Sequence, residues 1–403
     1  MIHTVHGIRI QDLRACISDP KLYFILALFA GEASPPFFQF HSGWMYIFFI
    51  LGLLFMIAQA EYTVKQPCVI VLLIYAIVIL RSLFVRQDIL ISYILPNLIT
   101  ALLIITISVF FRSERDIKTM WKYLYWFAML MSILGLAKFA MNPRERLAVF
   151  GGPNGYYKIA LLFEVISYYL FIENNRKIHV LGMLVGLMLC FATGSKGGIA
   201  SMIVILFLEV FYYILSTGNR RRPFANRLLQ SLVIIVFGLA AFALLLSKSA
   251  GLANNLNRAV SFLTQGSVAS FTSVSARTQL FRHGIGFFKE SPVFGKGARY
   301  TYFYTNGVQP YSHNIFIEFL SEYGLLGTIP LALFMIRVFF RGLKYSRRNN
   351  ELRLFFLAFL VYFSGSLFSG GILDSKTVFL FGMFVLIYRP DGDRGEAPLP
   401  MRL

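Results

Sequence analysis

Apolar runs long enough to cross a bilayer recur along almost the whole chain, interrupted by short polar breaks and one long hydrophilic stretch. A span needs roughly 20 mostly apolar residues, which as a helix cover the hydrocarbon core. Runs of this kind fall near 21–34, 43–60, 66–85, 89–111, 119–140, 156–172, 178–194, 198–216, 228–247, 313–336, 352–371 and 374–388. They predict an all-α chain, a polytopic membrane helix bundle of about 12 transmembrane helices, the first and last of them short. Composition agrees, since only 14% of residues are charged where a soluble domain carries about 25%. The whole of 1–403 reads as a single integral membrane domain, with a large loop at 248–312 and a disordered tail at 389–403. The N-terminal MIHTVHGIRIQDLRACISDP has no short apolar core followed by small-residue cleavage signals, so no signal peptide is expected.

Charge in the connections sets the orientation. With a cytoplasmic N-terminus, the cytoplasmic segments receive Arg112, Arg115, Lys118 and Lys122, then Arg220, Arg221, Arg222 and Arg227, then Arg337, Arg341, Lys344, Arg347, Arg348 and Arg353. About 23 of the 38 Lys and Arg then lie inside, as the positive-inside rule asks, and both termini are cytoplasmic. The rest share the exoplasmic side with Glu32, Asp88, Glu145, Glu290 and Asp374, a surplus of about +10. Lys248, Arg258, Arg277, Arg282, Lys289, Lys296 and Arg299 lie in the long loop, which translocates regardless of charge. The shorter segment holding Lys138, Arg144, Arg146 and Lys158 has no such exemption. Cations held on that face against the sorting rule point either to an anionic ligand or to lipid headgroups. No nucleic-acid partner is expected.

Candidate chemistry clusters on that side. Cys16, Cys68 and Cys190 lie in or beside apolar stretches without metal-ligand spacing and read as small packing residues. The long loop has no paired aspartates of metal-binding spacing, so neither a metal nor another cofactor is expected. His313, in PYSHNIFIEFLSEYGLLG, stands where a polar turn enters an apolar helix. An imidazole there serves either as an interfacial anchor or as a hydrated, rigidly held general base. In SVSARTQLFRHGIGFFKESPVFGKG, Leu280, Phe281, Ile285 and Phe288 recur near helical spacing, Arg277 shares a face with Phe281, and Pro292 stops the run. This is an amphipathic helix at the bilayer surface, its Arg277 and Arg282 either solvated or presenting guanidinium forks to a phosphate. In FATGSKGGIAS, Gly194, Gly197 and Gly198 allow close backbone approach, and Lys196 places a charge at the next helix. A snorkelling lysine in a tight turn is the plainer alternative. Arg146 precedes a Gly-Gly-Pro-Asn-Gly break at 151–155. Glu164, Glu209, Glu318 and Glu322 are costly in lipid and should face the bundle interior, Glu318 and Glu322 as structural partners rather than a proton relay to His313.

The order of these pieces is more specific than any one of them. Arg146 with Pro153-Asn154, Gly194-Ser195-Lys196-Gly197, Arg277 with Phe281, Pro292 with Gly295 and Gly297, His313-Asn314, and Glu322 with Gly324 and Gly327 together resemble the bacterial O-antigen polymerase and O-antigen ligase superfamily. The resemblance implies an integral glycosyltransferase of the inner membrane, its active site periplasmic, acting on glycans carried by undecaprenyl pyrophosphate without a metal. It implies that His313 activates the acceptor hydroxyl and that Arg277 and Lys196 bind the donor pyrophosphate, with Arg146 and Arg282 as further phosphate contacts. The implied partners are lipid-linked oligosaccharide and polysaccharide, membrane lipid, a chain-length regulator and a flippase. Ligases usually carry arginine where Lys196 stands, and often tryptophan where this chain has Phe281. The Gly-Ser-Lys-Gly and Ser-His-Asn forms look more like the polymerases.

Overall fold

The computed structural model describes residues 19–29, 47–52, 69–83, 93–111, 114–142, 146–149, 152–215, 253, 268–307 and 311–388. The expected span near 228–247, most of 248–267 and the tail at 389–403 lie outside the described residues. Among the described residues every regular element is helical. In chain order they are α1 (Pro20–Phe29), α2 (Val69–Leu83), α3 (Leu95–Phe110), α4 (Glu114–Met141), α5 (Gly152–Asn174), α6 (Lys177–Ala192), α7 (Lys196–Leu215), α8 (Val268–Glu290), α9 (Tyr300–Tyr304), α10 (Ile315–Tyr345), α11 (Asn350–Phe368), a 3-10 turn (Leu373–Ser375) and α12 (Lys376–Ile387). Among the described residues five helices, over Arg115–Met141, Gly152–Asn174, Lys196–Tyr213, Ile315–Tyr345 and Asn350–Phe368, are long and apolar enough to cross a membrane. The chain is a membrane protein; α1, α2, α3 and α6 are shorter apolar helices.

Sequence pattern explains the layering. A helix apolar on every side is buried in the bundle, whereas one facing lipid keeps an apolar stripe exposed. α5, α11 and α12 are of the first kind, with Tyr156–Tyr168, Leu352–Tyr362 and Lys376–Val385 buried without interruption. α5 packs along α6 and α11, and α11 along α12. Stacked rings knit the centre, Phe355 on Phe384 at 4.7 Å and Trp121 on Phe381 at 5.8 Å. α4, α7 and α10 are of the second kind. Trp126, Leu130, Ile133 and Leu134, then Ile203, Val204 and Phe207, then Leu333, Ile336 and Phe340 form exposed apolar stripes at helical spacing.

α10 outruns the span read at 313–336, because Arg337, Arg341 and Lys344 end the apolar run without ending the helix; both residue types are good helix formers. Arg341 also ties this end to α12, its Nε donating to Val385 O at 2.7 Å and its Nη2 to Tyr388 O at 2.9 Å.

All four membrane-embedded glutamates are buried, as their cost in lipid requires. Glu164 of α5 and Glu209 of α7 are close enough to interact, and none of their four carboxyl oxygens has a hydrogen-bond partner among the described residues, so a shared proton is what would satisfy the pair. Gly186 of α6 makes room, since a Cβ there would lie 2.7 Å from Glu164 Cβ. An amide supplies its own N–H to such a pair, so Glu164→Gln should change stability by less than about 1 kcal/mol. Glu164→Leu removes the partner and leaves the Glu209 carboxyl buried and unsatisfied, and should cost about 1–3 kcal/mol. Melting curves of the purified variants in detergent check both; a large loss in Glu164→Gln would mean the pair is held some other way.

The feature that organises the elements around the long loop is a break inside α10. Gly324 has φ +59° and ψ −154°, far from helical values. The freed backbone groups are taken up by the turn after α8. Leu325 N–H donates to Pro292 O at 2.8 Å and Leu326 N–H to Val293 O at 3.0 Å, while Lys296 and Gly297 N–H donate to Ser321 O at 2.8 Å and Glu322 O at 2.9 Å. Non-helical backbone beside lipid is tolerated only where protein satisfies it in this way. The Pro-x2-Gly-x-Gly and Glu-x-Gly motifs are therefore two halves of one splice.

Candidate functional site

Asn314 opens α10 as its N-cap. Its Oδ1 accepts from Phe316 N–H at 2.9 Å and Ile317 N–H at 3.2 Å, and its Nδ2 donates to Leu367 O at 3.1 Å, tying the start of α10 to the end of α11. His313 just before it has φ +59°, a left-handed conformation that fixes where the ring projects. Tyr311 packs edge-on against the imidazole, centroids 4.8 Å apart. Burial, and next to it the Arg277 charge, push the His313 pKa below its ordinary 6.5, with Asp374 opposing. At neutral pH the ring is an uncharged base.

Arg277 arrives from α8. A Cβ on Gly284 would stand 2.5 Å from Ile317 Cγ2, so α8 lies tightly on the first turns of α10. Its buried stripe is Leu280, Gly284 and Phe287, and half-buried Arg277 leads it toward His313. The face predicted from Leu280, Phe281, Ile285 and Phe288 is thus rotated. The close approach at Gly284 leaves Phe281 and Phe288 half-buried and Ile285 44% exposed. Arg282 is exposed, about 140° around the helix from Arg277, so it is not brought to His313.

The remaining motif residues converge on three consecutive positions at the end of α11. Leu367 holds Asn314 as above. Phe368 packs on Gly197, where a Cβ would lie 3.2 Å from Phe368 Cβ. Ser369 Oγ accepts from Asn154 Nδ2 at 3.4 Å and is hydrogen-bonded by Tyr311. Asn154 Oδ1 in turn accepts from Ser195 Oγ at 2.8 Å. Ser195 caps α7 by accepting from Gly198 N–H at 3.3 Å, which sets Lys196 at the first position of that helix. Gly197 and Gly198 thereby serve helix packing, on Phe368 and Tyr157, rather than approach of a ligand. Arg146 braces the same turn, its Nε donating to Thr193 O at 3.0 Å and its Nη2 to Gly194 O at 3.4 Å.

Two glutamates hold the surrounding loops. Glu322 Oε2 accepts from Arg299 N–H at 2.7 Å at the start of α9. Glu318 Oε1 accepts from Ile372 N–H at 3.4 Å, and its carboxylate leaves no room for a side chain at Gly371. The second anchor fixes the turn carrying Asp374, whose Oδ2 accepts from Gly371 N–H at 3.3 Å. Among the described residues, no group of three or more His, Cys, Asp or Glu could hold a metal ion.

Tyr311, Ser369 and Asp374 are site residues that motif reading missed. The available signal was positional, an acid behind Gly370-Gly371 between two apolar spans, much as His313 stands at a span end. What the fold assembles is a neutral base flanked by Arg277 and an anion, beside a helix start carrying Lys196. Such a site can take a proton from a hydroxyl while cations offset charge on a departing group.

Residues 181–332 match the O-antigen ligase family. The O-antigen ligase match is under half of the chain, yet it contains Lys196, Arg277, the splice and His313, and it supports the superfamily that the motif order resembles. Arg146, Asn154, Ser369 and Asp374 lie outside it. A protein of Haemophilus influenzae described only as uncharacterized is 25% identical over 211 residues, 48% of this chain and 50% of that protein. The match thus spans about half the length of that curated relative.

Proposed function

We propose that the chain polymerises O-antigen or a related surface polysaccharide at the periplasmic face of the bacterial inner membrane, with both termini cytoplasmic. A hydroxyl of a lipid-linked repeat unit attacks the anomeric carbon of the growing glycan. The bond from that carbon to undecaprenyl pyrophosphate breaks, with inversion, as the new glycosidic bond forms. His313 takes the hydroxyl proton, and Arg277 and Lys196 offset charge on the leaving pyrophosphate. The observation that carries this reading is the meeting of neutral His313, Arg277 and the Lys196 turn around residues 367–369. A chain-length regulator and a flippase are the partners such an enzyme needs.

A second reading, ligation of the lipid-linked glycan to lipid A-core, is favoured by the description of the matching family. Purified protein in proteoliposomes, given a defined lipid-linked repeat with and without lipid A-core, separates the two. Longer lipid-linked chains support the polymerase, product on lipid A-core only supports the ligase, and no transfer of either kind rejects both.

Within this mechanism Arg277→Lys should reduce turnover at least about tenfold, because lysine cannot reproduce a two-pronged phosphate contact. Lys196→Arg keeps the charge and should stay within a few-fold of wild type. Steady-state rates of the two variants in proteoliposomes check this, and equal activity of Arg277→Lys and wild type would remove Arg277 from the site.

A further inference from the structure

Lys158 is a cation that neither the motifs nor the mechanism above uses: it lies on α5, four residues or about one turn after Asn154, and is only 6% exposed. No described group forms a hydrogen bond or ion pair with it. Its Nζ is not among the fully buried polar atoms, so the stem is packed while the ammonium tip reaches open space, and cations at such positions in spans face a functional cavity by default.

The local geometry aims it at the site. Residues four apart on a helix share a face, so Lys158 lies below the Asn154 side chain that bonds Ser195 and Ser369. Helical side chains lean toward the N-terminus of their helix, which here is the Asn154 end. The stem occupies room that Gly365 of α11 leaves, since a Cβ at Gly365 would lie 2.5 Å from Lys158 Cε. Gly365 is one turn before Ser369, whose N–H donates to Gly365 O at 2.9 Å. The lysine therefore runs along the last turn of α11 toward the junction where Asn314, Gly197, Asn154 and Tyr311 meet.

We propose that Lys158 is a third cation for the anionic group of the substrate, a lipid-borne pyrophosphate that reaches the junction between α5, α7 and α11 and supplies the partner this ammonium lacks. The proposal rests on the reading of function above and adds a residue to it. A cation at this depth recognises phosphate charge as a compact point donor, complementing the planar fork of Arg277.

The test uses purified full-length protein in phosphatidylcholine nanodiscs, with undecaprenyl pyrophosphate as the probe and phosphatidylglycerol as the competing source of phosphate. Lys158→Met and Lys158→Gln should weaken undecaprenyl pyrophosphate binding at least about tenfold, while the ligand-free melting temperature stays close to wild type because the packed stem is kept. Should neither variant fold, Gly365→Ala displaces the lysine stem without removing its charge and should weaken binding likewise. Wild-type affinity in a folded Lys158 variant, or in Gly365→Ala if that alone folds, overturns the inference and leaves the functional reading standing. Loss of phosphatidylglycerol binding alone assigns Lys158 to a lipid headgroup and also overturns it. Failure of the wild type to bind undecaprenyl pyrophosphate rejects the functional reading and the inference with it.

Discussion

His313→Ala should lose at least about two orders of magnitude in turnover, while the protein still inserts and binds its lipid-linked donor. Sugar hydroxyls are very weak acids, and a positioned base typically contributes about 10² to 10⁴-fold to their attack. The pH profile carries the sharper information. Burial and the Arg277 charge hold His313 below its ordinary 6.5, so wild-type activity should be flat through neutrality and fall only as pH drops below that value. Asp374 raises the His313 pKa, so Asp374→Asn should move the acid limb to still lower pH. His41→Ala and His283→Ala should keep most activity; His283 is exposed on α8 and packs near Tyr304 rather than the junction. Single-turnover transfer at saturating substrate across pH 5 to 9 gives the answer. A His313→Ala enzyme with wild-type rates and an unchanged acid limb would return His313 to an interfacial anchor.

Local sequence carried much of this arrangement, and the reasons differ by element. Helix existence was legible because apolar runs bounded by charges leave few alternatives in lipid, and the start of α10 was legible because His-Asn ahead of an apolar run places a good N-cap. α8 was legible from its spacing and its stop before Pro292, but its inward face was not. That face depends on which residue permits the closest approach to α10, and Gly284 contributes nothing to an apolar count. Arg146 illustrates the opposite case. Its position in the motif order was informative, and the structure adds a second role, since its guanidinium donates to the carbonyls of Thr193 and Gly194 and so shapes the turn that bears Lys196. The junction itself was illegible. Leu367, Phe368 and Ser369 carry no chemical signature, and they matter because helices distant in sequence arrive there together.

The splice in α10 yields the largest expected effect on stability, and it too depends on long-range pairing. Gly324→Ala places a Cβ 2.5 Å from Val293 O at φ +59°, and Gly295→Ala places one 2.4 Å from Glu322 C at φ +69°. Both neighbours are backbone atoms held by the splice hydrogen bonds, so neither can move aside without opening them. Left-handed strain for a residue with a Cβ costs about 1–2 kcal/mol by itself, and overlap with fixed backbone adds more, so each substitution should cost at least about 3 kcal/mol. Gly286 is the internal control. A Cβ there meets nothing within 4 Å, and replacing a mid-helix glycine with alanine should stabilise by about 0.5–1 kcal/mol. Melting temperatures of the three purified variants should therefore split in sign, with Gly324→Ala and Gly295→Ala low or failing to accumulate and Gly286→Ala at or above wild type. Turnover should fall with the first two even below their melting temperatures, because the splice sets how α8 lies on α10 and hence where Arg277 stands relative to His313. Wild-type melting of Gly324→Ala would show that α10 runs unbroken past the loop, and the placement of Arg277 would then need another cause.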